Sequence, residues 1–127
     1  MPYAAITFRV KPGHEEEISR IFAESPRLDS PIVTDEQGRE VARLLGTAAF
    51  VKDDVLVRVI HYEGDFSAVG RHLARQRNIH TIEGALQPYL AETRATETEE
   101  GFQAFFRNAL MRCVFHAASP EAEPMGA

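Results

Sequence analysis

Arg58 lies in the run Val55-Leu56-Val57-Arg58-Val59-Ile60-His61-Tyr62, and in an extended chain every second residue of such a run falls on the same side. Leu56, Arg58, Ile60 and Tyr62 then share a face. A guanidinium, a phenol and apolar walls together suit a flat ligand that carries oxygen atoms. The other reading of Arg58 is an edge charge, or an ion pair with a carboxylate of a partner chain. The five histidines, His14, His61, His72, His80 and His116, supply the other chemistry, because a neutral imidazole acts as a general base near pH 7 without a cofactor. His61 ends a strand beside Tyr62. His72 and His80 would lie about 80° apart on an uninterrupted helix. His14 falls in a charged first turn and reads as solvated. For each histidine the competing reading is a partly buried polar group meeting a carbonyl.

Other signatures are missing. No HxH, HExxH or Cys/His cluster has metal-ligand spacing, so no metal is expected. Without GxGxxG or a P-loop there is no sequence support for a nucleotide cofactor, and without GxSxG none for a serine hydrolase. Cys113 lies between Met111 and Phe115 in an apolar stretch and reads as an inert core thiol. Phe102, Phe105 and Phe106 read as core rather than as a ligand box.

These residues must be positioned by strands and helices that the spacing announces. Residues 3–10 alternate as a strand. A helix follows from His14, with Ile18, Ile21 and Phe22 on one stripe and Glu15, Glu16 and Glu17 in the first turn, where the helix dipole favours negative charge. Residues 25–40 form a long excursion with a short extended piece at Ile32-Val33, and its length suits a functional flap. Strands at 41–51 and 55–62 make a hairpin. A three-residue loop, Lys52-Asp53-Asp54, would set Phe50 opposite Leu56, Ala48 opposite Arg58, Gly46 opposite Ile60 and Leu44 opposite Tyr62. Asp65 caps a second helix to about Gln76. Residues 77–92 are helical with Pro88 as an interruption, and residues 92–100 are a surface loop. Residues 101–109 are a short helix or an irregular lead into a last strand, 110–115.

The order predicts an α+β fold, a ferredoxin-like βαββαβ antiparallel sheet with both helices on one face. Val55, Val57 and Val59 are apolar on the side opposite Leu56, Ile60 and Tyr62, so two helices cannot cover both faces. The Val57 side is expected under the helices. The Arg58 side is expected to meet a second copy, giving a homodimer of dimeric α/β-barrel type; the alternative is that residues 77–109 fold over that side.

The 127 residues suit one domain, assigned to 1–117, with 118–127 as a disordered tail. A net charge of −5 offers no basic field to phosphates, so nucleic acid is not an expected partner. The N-terminus carries no basic n-region and no apolar run approaches a membrane span, which with a single cysteine gives a cytoplasmic expectation and no membrane partner.

The segments ITFRVKPGHEEEI, LLGTAAFVKDDVLVRVIHYEGD, RHLARQ and GFQAFFRNALMRCV resemble the SchA/CurD-like family, over nearly the whole chain up to about Val114. The resemblance implies a place in actinomycete gene clusters for aromatic polyketides, especially grey and related spore pigments made by minimal type II polyketide synthases. It implies a fold similar to dimeric α/β-barrel proteins, several of which are cofactor-independent quinone-forming monooxygenases or polyketide cyclases. Many members carry two tandem copies of the domain, and the single copy here fits homodimerisation. NAD(P) binding has been attached to the family, but the chain has no dinucleotide fingerprint.

The expectation is therefore cofactor-independent oxygenation of a polycyclic phenolic intermediate. His61 or His72 would deprotonate the phenol and Arg58 would stabilise the phenolate. Phe50, Ile60, Tyr62, His80 and Arg112 would contact the substrate, and synthase components are a further partner. The alternatives are a cyclase or aromatase of the same fold, or a non-catalytic protein that holds the intermediate or docks the synthase.

Overall fold

The computed structural model describes residues 2–25, 30–92, 94 and 96–117. Its sheet is organised by one tight turn. Asp53 adopts a φ of 54°, a left-handed conformation that Asp tolerates better than most residues, and this closes a two-residue hairpin in which Lys52 faces Val55. The hairpin joins β3 (Glu40–Lys52) to β4 (Val55–Gly64). β1 (Tyr3–Arg9) pairs with β4 on one side and β2 (Ile32–Thr34) with β3 on the other. The result is an open antiparallel sheet of order β1-β4-β3-β2.

The two-residue turn corrects the expected register. Phe50 pairs with Val57, Ala49 with Arg58, Ala48 with Val59 and Thr47 with Ile60. A shift of one residue reverses every side chain. Phe50, Ala48 and Gly46 thus lie on the face opposite Arg58. A bulge at Leu45 then restores the expected Leu44–Tyr62 pair, returning Leu44 and Ala42 to the core.

Helices α1 (Glu15–Glu24), α2 (Phe66–Arg75), α3 (Arg77–Leu86) and α4 (Glu99–Ala109) all pack on the Arg58 side. Ile6, Ile60, Leu73, Ile79, Phe102 and Phe106 form one buried cluster; Val10, Ile18, Leu56, Ile82 and Leu86 form another. This reverses the expected assignment of faces. Leu56 and Ile60 are buried under helices, while Val55, Val57 and Val59 are only half-buried on the uncovered side. Both crossover helices, α1 and α2, pack on the Arg58 side, and α3 and α4 join them there, as in the alternative placement of residues 77–109.

Asp65 accepts from the Ser67 amide and caps α2 as expected, and Thr98 caps α4 by accepting from Gly101. Extended backbone at Gln76 separates α2 from α3, so His72 and His80 do not share a helix. Pro88 lies in a 3-10 turn, Gln87–Tyr89, that ends α3. The 92–100 region is not wholly a surface loop: Thr96 is buried and Arg94 half-buried.

The last strand is reduced to one bridge, Leu110 to Ile6, with the Met111 amide donating to Ala5. Residues 112–117 then run on exposed, Val114 at 87% and Phe115 at 81%. Cys113 is exposed there, not in the core. The sheet's fourth strand is instead β2, from the 25–40 excursion, so the βαββαβ order is not reproduced strand for strand. The expected tail, 118–127, and part of that excursion, 26–29, lie outside the described residues. Among the described residues no helix is long and apolar enough to cross a membrane.

Candidate functional site

The helices leave the middle of β3 bare on their own side, between the C-terminal end of α1 and the first half of α3. The opening is a cleft of about 840 Å³ with Thr47, Ala49 and Arg58 on its floor, Phe22 of α1 on one wall, and Asn78 and Ile82 of α3 on the other. Behind it lies a chamber of about 50 Å³ that shares Thr47, Arg58 and Asn78 with the cleft. Its remaining walls are Ile6, Ile60, Leu73, Ile79, Phe102 and Phe106.

Arg58 is the charged residue of the floor, its guanidinium 5.3 Å from the centre of the Phe22 ring. Burial pulls its pKa below the ordinary arginine value; the Glu83 carboxylate opposes this and the charge of Arg94 adds to it. Glu83 is already engaged. Arg94 grips it through Nε at 3.1 Å and through Nη2 at 2.9 and 2.8 Å, and the Thr96 hydroxyl donates to it at 3.1 Å. The Glu83 and Arg94 side chains are 3% and 13% exposed. The Arg94 guanidinium also lies against the rings of Phe8 at 4.0 Å and Phe105 at 3.7 Å, which meet edge to face, and burial lowers its pKa as well. Two arginines thus share one carboxylate, and the contacts belong to Arg94. Arg58 contributes the surplus positive charge, and it does so at the cleft.

The other sequence candidates are dispersed. Ile60 borders the inner chamber. Phe50 is 62% exposed, its pairing with Val57 placing it on the opposite sheet face. His61, across from Tyr3, stacks on that ring at 4.5 Å on the same opposite face, its Nε2 buried without a partner among the described residues. Tyr62 leans on Phe66. His72 Nε2 meets the Ser30 carbonyl at 2.9 Å and borders a separate cavity beside β2. His80 places both ring nitrogens against carbonyls, Thr96 at 3.1 Å and Ala74 at 2.6 Å. Arg112 lies in the exposed terminal segment and is not among the residues lining the cleft. Arg58 and Ile60 are therefore brought together; Phe50, His61, Tyr62, His72, His80 and Arg112 are not.

Sequence reasoning missed Phe22, Thr47, Ala49, Asn78 and the Glu83–Arg94 pair. A signal existed for two of them. Asn78 stands four residues before Ile82, and Glu83 four after Ile79, so each is a polar residue on or beside an apolar helical stripe.

The SchA/CurD like domain model matches residues 1–119. The chain is 36% identical over 124 residues to "Polyketide synthase CurD" of Streptomyces cyaneus, covering 96% of this chain and 32% of that one. It is 34% identical to the "42.8 kDa protein in whiE locus" of Streptomyces coelicolor, covering 92% and 28% of the two chains, and 31% identical to "Protein SchA" of Streptomyces halstedii, covering 91% and 29%. The chain thus spans about a third of the length of the curated relatives it matches. No solved structure matches it. With the domain model matched from the first residue through the whole sheet and all four helices, the chain belongs to the SchA/CurD-like family.

Proposed function

We propose that this domain binds a polycyclic phenolic intermediate of aromatic polyketide biosynthesis in the Arg58 cleft and promotes its cofactor-independent oxygenation. The observation that supports the reading is a cation whose pKa is lowered by burial and which, among the described residues, no carboxylate grips, flooring a cleft large enough for several fused rings. An anion that enters meets a charge already stripped of much of its water, where the attraction is stronger than in bulk solvent. Arg58 thereby favours the phenolate over the phenol and raises the electron density of the ring system. The activated ring carbon, a methylene, attacks dioxygen. It loses two hydrogens and becomes a carbonyl that keeps one oxygen atom, while the other leaves as water. Among the described cleft residues none is a histidine, aspartate or glutamate, so the phenol proton passes to water rather than to His61 or His72.

The test is Arg58→Met with an anthrone probe. Loss of a charge-assisted contact of about 1.5–3 kcal/mol predicts affinity for the anion roughly ten- to a hundredfold lower, together with slower oxygen uptake. Equal affinity in a variant with an unchanged circular dichroism spectrum would reject the assignment. The cleft's volume, near the upper end for small-molecule pockets, also favours a second reading: a folded poly-β-ketone chain whose enolate Arg58 holds during aldol cyclisation. Turnover without oxygen consumption separates the two, and binding without turnover identifies a holding protein.

In the same reading the uncovered sheet face contacts a second copy of this chain. Ala5, Val57 and Val59 are half-buried there beside exposed Ala48 and Phe50, and each copy also presents the apolar terminal segment with Val114 and Phe115. A twofold association covers both features at once.

A further inference from the structure

The file of residues that floors the cleft continues past it. Thr47, Ala49 and Val51 follow one another on one side of β3, paired in turn with Ile60, Arg58 and Leu56 of β4. Thr47 and Ala49 line the cleft, while Ala49 and Val51 line a further hollow of about 180 Å³ at the hairpin end of the sheet. Phe22 of α1 borders both spaces, and the Arg58 guanidinium is 5.3 Å from the centre of its ring. The remaining lining of the hollow is Ile18, Ser19, Phe50 and Leu56, so the Ser19 hydroxyl is its one polar side-chain group among the described residues. A cation and an apolar hollow thus lie along one strand, with Leu56 two residues, roughly 7 Å of extended chain, from Arg58.

We infer that the hollow beyond Phe22 is a second subsite, which takes an alkyl substituent of the ligand whose anionic oxygen is held at Arg58. This rests on the proposed function, in that an aromatic phenol occupies the cleft, and it names the substrate class more narrowly as fused-ring phenols with a short alkyl chain on a ring remote from that oxygen. The offset between Arg58 and Leu56 sets the remoteness: a chain beside the phenolate stays within the cleft, whereas one attached a ring farther along passes Phe22. There it leaves water for the surfaces of Ile18, Val51 and Leu56, and each methylene buried adds affinity without adding charge.

The experiment measures, by calorimetric titration of the full chain, the binding of 1-naphthol and of its propyl derivatives with the chain at each position of the second ring. At least one derivative is expected to bind the wild type more tightly than 1-naphthol, by about fourfold for each methylene buried. Two variants fill the hollow from opposite sides, Ser19→Leu on α1 and Val51→Phe on β3, and neither residue lines the cleft. Loss of the gain in either variant, with the affinity for 1-naphthol unchanged, supports the subsite, an outcome that general loss of packing would not give. The inference is overturned, and the proposed function left standing, if no derivative exceeds 1-naphthol in the wild type, if the gain survives in both variants, or if it is lost only together with the affinity for 1-naphthol. Binding of none of the probes by the wild type overturns both.

Discussion

Glu83 is the residue on which the charge arrangement depends. Its carboxylate is buried, and it is held by the Arg94 fork and the Thr96 hydroxyl while also attracting Arg58. Removing one partner of a buried pair leaves the other charge uncompensated, at a cost of about 3–5 kcal/mol. Glu83→Gln is therefore expected to lower stability by about that amount in urea denaturation. It also removes the influence that raises the Arg58 pKa, leaving burial and Arg94 to push it down further. The local charge becomes more positive, so an anionic ligand should bind more tightly to the fraction that remains folded. Lower stability together with higher phenolate affinity is the signature to look for; a parallel loss of both would contradict the division of roles between Arg58 and Arg94.

At the level of the elements, the join between β4 and α2 leaves least freedom. Gly64 has a φ of 94°, and a Cβ there would run into the Val41 carbonyl oxygen and the backbone of Ala42. Gly64→Ala should cost roughly 1–3 kcal/mol from the dihedral alone. Gly84, inside α3 with open space where a Cβ would be, is the contrasting case: Gly84→Ala should stabilise by about 0.5–1 kcal/mol. Thermal melts of the two variants should move in opposite directions. The elements themselves were legible, because period-2 runs such as Val55–Tyr62 and stripes such as Phe66, Val69 and Leu73 carry their own signal. The turn was not. Lys52-Asp53-Asp54 fits either two or three loop residues, and the choice decides whether Ala48 or Ala49 accompanies Arg58. Arg58 is a site candidate from its chemistry alone, as the residue that would stabilise a phenolate, but its neighbours depend on that register and on where α1 and α3 lie over β3, which no local pattern records. The bulge at Leu45 hid the error at one end, since the Leu44–Tyr62 pair comes out the same in either register.

For the whole molecule, the faces determine what a charge does. Val57→Asp places a carboxylate on the uncovered side and leaves the helix-packed core intact, so the chain should fold and fail to associate. Ile60→Asp buries the same charge among Leu73, Ile79 and Phe106 and should prevent folding. Sedimentation velocity with circular dichroism distinguishes these outcomes. A wild-type chain that sediments as a monomer at micromolar concentration rules out the second copy, whose interface should bury on the order of 1,500 Å².

Thr47, Ala48 and Ala49 are exposed, although they lie within the longest strand of the sheet. Ala49 faces the cleft and Ala48 the uncovered side, so along this stretch a ligand and a neighbouring subunit would be separated by a partition one peptide thick. Such a partition has no side-chain layer in which to absorb a displacement. A ring pressing on Ala49 would shift the backbone that carries Ala48, and pressure from the other side would be transmitted equally. If a ligand fills the cleft and a second copy covers the other face, the two events would be linked, and by thermodynamic reciprocity any factor by which the ligand changed the dimerisation constant would be the factor by which dimerisation changed ligand affinity.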